Sequence, residues 1–234
     1  MTTFALVHGA WYGAWCWDRL IPELEDRGHG VIAMDLPSDD PAATFDDYAD
    51  AVAGALEAHG GDDVVVVGHS LAGLTIPLVA ARQRVGRLVY LCALVPVPGS
   101  SFMDQLATEA MLDLGYVAGL SAPDSDGRRG WVDEGLARDF MYADCDPEAT
   151  KQAFARLRPQ AQAPYARRCS LDAFPGTPAT YVVCSEDRLV KPDWSRSVAR
   201  ERLDADLVQL PGSHSPFLSR PPHLASVLHD VALT

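Results

Sequence analysis

No apolar run in this chain approaches the ~20 residues that a membrane-spanning helix needs. Lysine is nearly absent. Lys151 and Lys191 are the only two among 19 basic residues, against 32 acidic ones. The resulting formal charge of −13 argues against nucleic acid and against anionic membrane surfaces as partners. Cysteine is sparse: Cys16, Cys92, Cys145, Cys169 and Cys184 are odd in number, widely spaced and never in a C-x-x-C pair. That pattern excludes a disulfide framework and offers no zinc-ligand spacing, so no metal is expected. Met1-Thr2-Thr3-Phe4 lacks a basic stretch followed by an apolar one, so no signal peptide is expected. A reduced, cytoplasmic setting is the corresponding expectation. Internal repeats and low-complexity stretches are missing too.

What is present is an ordinary globular composition. The 234 residues are 48% apolar and 22% charged, which excludes disorder and a collagen-like or coiled-coil body. A chain of this length buries roughly 70% of its unfolded surface, enough for a core without staples.

Short apolar runs at Phe4 to Val7, Val31 to Met34, Val64 to Val67 and Leu88 to Leu91 read as buried strands. Amphipathic stretches at Trp17 to Arg27, Phe45 to Ala58 and Leu71 to Arg82 lie between them and read as helices. Continuous Val/Ile/Leu strands alternating with helices predict an open parallel sheet covered on both faces. Val95-Pro96-Val97-Pro98-Gly99 breaks the rhythm, because proline can continue neither a helix nor a central strand.

From there to residue 176 no strong strand is expected, only helical patterns at Ser101 to Leu114 and Pro147 to Arg156 around a turn-rich segment at 121–127. The alternation resumes with a strand at Ala179 to Cys184, a helix at Asp193 to Leu203, a strand at Asp206 to Leu210 and a helix at Pro222 to Leu233. The expected organisation is an α/β core over residues 1–96 and 177–234, with a helical cap inserted at 97–176.

The sharpest chemical signal is Val64-Val65-Val66-Val67-Gly68-His69-Ser70-Leu71-Ala72-Gly73, a strand, a turn of small residues and a helix. A serine on such a turn stands above the sheet edge, and the residues two before and two after it must be small. Here they are Gly68 and Ala72. Ser70 is the candidate nucleophile, at a helix N-terminus that favours developing negative charge. The bland alternative is a helix-capping serine at a tight βα turn.

A serine nucleophile needs a histidine base. Of the seven histidines, His214 follows the last expected strand in Leu210-Pro211-Gly212-Ser213-His214-Ser215 and precedes the last helix. Chemistry in a parallel sheet gathers at the carboxyl ends of its strands, so His214 is the candidate base. The strand Tyr181 to Cys184 runs into Ser185-Glu186-Asp187, which supplies the acid. Asp187 is the first choice and Glu186 the alternative. The order Ser, Asp, His is that of the α/β-hydrolase arrangement. The oxyanion donors expected are the backbone N–H of Leu71, after the nucleophile, and of Ala10, in the loop Val7-His8-Gly9-Ala10. His8 reads as a structural residue that holds this loop by a side-chain hydrogen bond.

These residues resemble the α/β-hydrolase superfamily, and within it the branch of plant methylesterases, hydroxynitrile lyases and their bacterial esterase relatives. The resemblance rests on Leu6-Val7-His8-Gly9-Ala10-Trp11, on Ala14-Trp15-Cys16-Trp17, on Gly68 to Gly73, on Tyr181 to Asp187 and on the His214 loop. It implies the triad Ser70, Asp187 and His214 and an oxyanion hole at Ala10 and Leu71. The frame starts directly at the strand before His8-Gly9, so the opening hairpin of larger hydrolases is expected to be missing, leaving about six mostly parallel strands. Two departures stand out. Ala72 replaces a glycine, and Ser215 stands where the plant lyases carry a lysine suited to departing cyanide. The second departure argues against cyanohydrin cleavage.

Trp11, Phe102, Trp131, Phe140 and Met141 are the candidate pocket residues. The expected activity is a cofactor-free serine hydrolase acting on carboxylic esters of small, largely apolar substrates, as a monomer or homodimer. The alternatives are other chemistry on the same frame (thioesterase, lyase, cofactor-free oxygenase) and a ligand receptor on a hydrolase scaffold.

Overall fold

The computed structural model describes residues 2–59 and 64–234. Its main sheet has six strands: β1 (Thr3–Val7), β2 (Gly30–Met34), β3 (Val64–His69), β4 (Arg87–Leu91), β7 (Ala179–Cys184) and β8 (Asp206–Leu210). The strands lie in the order β2-β1-β3-β4-β7-β8, and every neighbouring pair is parallel. β3 is buried along its whole length, which is why Val64 to Val67 reads as an unbroken apolar run rather than an alternating one. A second sheet pairs two-residue strands β5 (Arg128–Arg129) and β6 (Gln160–Ala161) antiparallel.

The helices are α1 (Ile21–Glu25), α2 (Phe45–His59), α3 (Ile76–Arg82), α4 (Phe102–Thr108), α5 (Glu134–Met141), α6 (Pro147–Ala155), α7 (Pro192–Glu201), α8 (Pro216–Ser219) and α9 (Pro221–Val231). None of them is long and apolar enough to cross a membrane.

The connectivity positions the site. The chain passes from β1 outward to β2 and then returns across β1 to form β3. The strand order reverses between β1 and β3, and a crevice opens beyond their carboxyl ends. His8 to Ala10 and Ser70 follow directly from these two strands.

Several helices are shorter than the sequence pattern predicts, each for a local reason. The stretch Trp17 to Arg27 is divided into a 3-10 turn, Ala14–Trp17, and α1. Pro22 lacks an N–H and is accepted only in the first helical turn, so the helix starts at Ile21. Pro77 divides Leu71 to Arg82 in the same way, into a 3-10 segment Ser70–Leu74 and α3. The expected helix Ser101 to Leu114 stops at Thr108, because Leu112 turns to form an antiparallel bridge with Val190. Helix α5 is not among the helices expected from the sequence. It is set instead by its cap, where the Asp133 side chain accepts from the Leu136 N–H.

His8 pins the first two loops together. Its Nδ1–H donates to the Gly9 carbonyl at 2.8 Å, and its Nε2 accepts from the Leu36 N–H at 3.0 Å, so the ring is neutral. Burial pushes its pKa down to about 4. The unfolded chain takes up this proton near pH 6.5 and the folded chain only near pH 4, so acid favours unfolding across that interval. The contribution is fully present above pH 6.5 and falls by about 3 kcal/mol toward pH 4. Urea titrations at pH 7 and pH 4.5 should show a smaller acid loss of stability in His8→Gln than in the parent. An identical loss in both would contradict this account.

Candidate active site

The site is assembled from four loops at the carboxyl ends of β1, β3, β7 and β8. Ser70 sits at the turn after β3 with φ of 53°, in the left-handed region that a non-glycine residue seldom adopts. The turn has no room for larger neighbours. A Cβ on Gly68 would lie 2.7 Å from Ile76 Cγ2. Ala72, the departure from the usual glycine, is accommodated as a buried methyl.

The loop after β1 packs hard against this turn. A Cβ on Gly9 would stand 2.8 Å from Ser70 Cβ and 3.0 Å from His69 Nδ1. Glycine is therefore required for Ala10 to reach the serine. Ala10 and Leu71 line the same cavity as Ser70. Among the described residues, the Ala10 amide donates to no acceptor, which leaves it available to a ligand.

His214 lies in the loop after β8, and its Nε2 is 3.0 Å from Ser70 Oγ. Its Nδ1 is 2.7 Å from Asp187 Oδ2. A carboxylate only accepts, so the proton of a neutral ring sits on Nδ1 and Nε2 is left to accept from the Ser70 hydroxyl. Asp187 is held in turn. Its Oδ1 accepts from the Leu189 N–H at 2.8 Å and the Val190 N–H at 3.0 Å. Glu186, the alternative acid, points to solvent. The Asp187 and His214 side chains are 2% and 1% exposed, so their hydrogen bond is shielded from competing water.

Two residues that the sequence reading left without a role fix the His214 loop. The His69 Nε2–H donates to the His214 carbonyl at 2.9 Å, and burial holds the His69 ring well below its ordinary pKa and so neutral. Asp144 comes from the segment after α5. It accepts from the Ser213 hydroxyl and from Arg220 Nε. It fills the space beside Gly212, where a Cβ would lie 2.6 Å from Asp144 Oδ2. His69 adjoins Ser70 in sequence, at the end of β3. Asp144 had no signal, because its partners are about 70 residues away.

A pocket opens at Ser70. Trp11 and Phe102 line it, in the positions expected of pocket residues. Trp131, Phe140 and Met141 do not, which corrects the sequence reading. Trp131 packs edge-on behind Trp11 and tilted against Tyr116, while Phe140 backs Tyr116 from farther out. Met141 is buried at the end of α5 without reaching the cavity. The walls come instead from Leu94, Leu112, Tyr116, Tyr165 and Leu189. Leu112 and Tyr116 were missed because the chain leaves the helix before them. Leu189 was missed although it lies two residues past Asp187. Trp11 is itself in the left-handed region, with φ of 65°, and its Nε1 donates to the Arg129 carbonyl at 3.0 Å. Among the described residues, no cluster of histidine, cysteine or carboxylate side chains has metal-binding geometry.

Comparison with known proteins agrees with this architecture. Salicylic acid-binding protein 2 of Nicotiana tabacum is 27% identical over 251 residues, covering 98% of this chain and 96% of its own length. Polyneuridine aldehyde esterase of Rauvolfia serpentina is 25% identical, covering 98% of this chain and 95% of its own. Among solved structures, a pyrethroid hydrolase from Sphingobium faniae superposes with a TM-score of 0.84 at 25% identity, covering 100% of this chain and 98% of the other. Residues 4–225 match the profile of the Alpha/beta hydrolase family, and the chain belongs to that family.

Proposed function

We propose that the protein is a serine hydrolase that cleaves carboxylic esters of small, largely apolar substrates through an acyl-enzyme intermediate. Ester hydrolysis is the reaction class that several relatives' names share. The serine mechanism and the substrate class are inferred from the site. The observation that carries the reading is the buried hydrogen-bonded chain from Asp187 through His214 to Ser70 Oγ, opening on an apolar cavity.

In this mechanism Ser70 Oγ attacks the ester carbonyl carbon while its proton passes to His214 Nε2. Asp187 remains ionised and stabilises the imidazolium. The backbone N–H groups of Ala10 and Leu71 donate to the carbonyl oxygen as it becomes an oxyanion. The tetrahedral intermediate collapses, the alcohol leaves with the proton from His214, and water then releases the acid by the same steps in reverse order. No cofactor takes part in this scheme.

Among the described residues, no charged side chain lines the cavity, which suits a neutral ester with apolar arms. Residues 97–176 act as the cap, supplying Phe102, Leu112, Tyr116 and Tyr165 to the walls. Ser215 favours hydrolysis over cyanohydrin cleavage. It is fully buried and shares a 2.7 Å hydrogen bond with the Tyr12 hydroxyl, so this position offers no cation to a leaving anion.

Ser70→Ala should lower kcat/KM on p-nitrophenyl acetate by about 10^4-fold or more, and turnover equal to the parent would overturn the mechanism. Asp187→Asn presents an amide that pairs with an unprotonated Nδ1 and so keeps the proton on Nε2. A loss of about 10^4-fold in kcat is expected, and a loss under tenfold would contradict the assigned tautomer. Gly9→Ala pushes the Ala10 amide away from the serine. It should cost roughly 10^2-fold in kcat with little change in KM, as measured by steady-state kinetics.

A further inference from the structure

A second pocket lies beside the first. Phe45, Leu74, Leu78 and Pro96 give it an apolar floor, Ser100 also lines it, and Asp46 with the exposed Arg167 and Arg168 charge its outer side. Among the described residues, Phe102 is the one that lines both cavities. Its ring stands edge-on to Tyr165 at 5.1 Å, and Tyr165 stacks on Phe45 at 6.3 Å. Tyr165 faces the Ser70 cavity and Phe45 faces the second one, so a wall of aromatic rings divides them.

The backbone that carries Phe102 is anchored independently of its ring. Ser101 and Asp104 form a reciprocal cap at the start of α4. The buried Gln105 amide accepts from the Val97 N–H at 3.1 Å and donates to the Val95 carbonyl at 3.0 Å. Truncating the ring therefore opens space and leaves α4 in its place.

We propose that Phe102 is the partition that sets how long an arm of the ester the site accepts, and that the apolar floor behind it, formed by Phe45, Leu74, Leu78 and Pro96, is an unused subsite for an extended aliphatic chain. This inference rests on the ester-hydrolase reading of the Ser70 site. With the ring in place, a chain running from Ser70 toward α2 meets the Phe102 edge. With the ring removed, it continues over Leu74 and Leu78. Each methylene that leaves water for such a surface contributes about fourfold in affinity.

The test compares the parent, Phe102→Ala and Phe102→Leu on p-nitrophenyl acetate and octanoate, and on ethyl and octyl acetate. In Phe102→Ala the preference for the eight-carbon member over the two-carbon member should rise at least tenfold in one of the two series. Phe102→Leu, which keeps most of the core packing, should show a smaller rise in the same series. Adding Ser100→Trp to Phe102→Ala fills the second cavity and should cancel the gain.

Unchanged ratios in folded variants with normal circular dichroism would overturn the proposal, as would a gain that survives Ser100→Trp. Calorimetric binding of octanamide and acetamide separates this failure from failure of the functional reading. If no variant turns over any ester, a tenfold gain in octanamide affinity in Phe102→Ala still supports the partition, and no gain still refutes it.

Discussion

The structure depends on one close approach. The loop after β1 touches the turn after β3 so tightly that the Gly9 position has no room for a methyl group. That contact brings the Ala10 amide to the serine that β3 carries. It follows from the sheet order, because β1 and β3 are hydrogen-bonded neighbours whose connections leave in opposite directions. The small residues Gly9 and Gly68, the left-handed backbone at Ser70 and the uninterrupted valines of β3 all serve the same juxtaposition.

A second layer of interactions holds the histidine. Its ring is fixed at Nδ1 by Asp187, and its carbonyl is fixed by His69. Its loop is braced by Asp144, which reaches in from the segment after α5 and also pairs with Arg220. Burial makes these groups effective. It keeps His8 and His69 neutral, so that they act as fixed hydrogen-bonding spacers, and it keeps water from the Asp187–His214 bond. The cost is sensitivity to acid, since every buried neutral imidazole favours the unfolded chain once the pH falls below the ordinary histidine range.

The frame was legible in the sequence because its strands are short, apolar and bounded by glycine or acidic turns. Thr3 to Val7, Val64 to His69 and Ala179 to Cys184 each lie within a residue or two of their expected limits. Ser70, Asp187 and His214 were legible because each stands directly after such a strand. The pocket was not. Trp131 and Phe140 look like wall residues by composition, yet they form the layer behind Tyr116. Leu112 and Tyr116 face the cavity because the chain leaves its helix at Thr108 and bridges to Val190, a long-range contact with no local signature. Prolines at 22 and 77 shortened two helices whose periodic patterns read straight through them.

The central claim is that the imidazole at 214 and the carboxylate at 187 make the hydroxyl at 70 nucleophilic. Labelling with a fluorophosphonate, followed by peptide mass mapping, tests it most directly. The account predicts a single phosphonyl adduct on Ser70 in the parent, and none in a folded His214→Ala variant under the same conditions. An adduct on another residue, or undiminished labelling of Ser70 without the histidine, would contradict it.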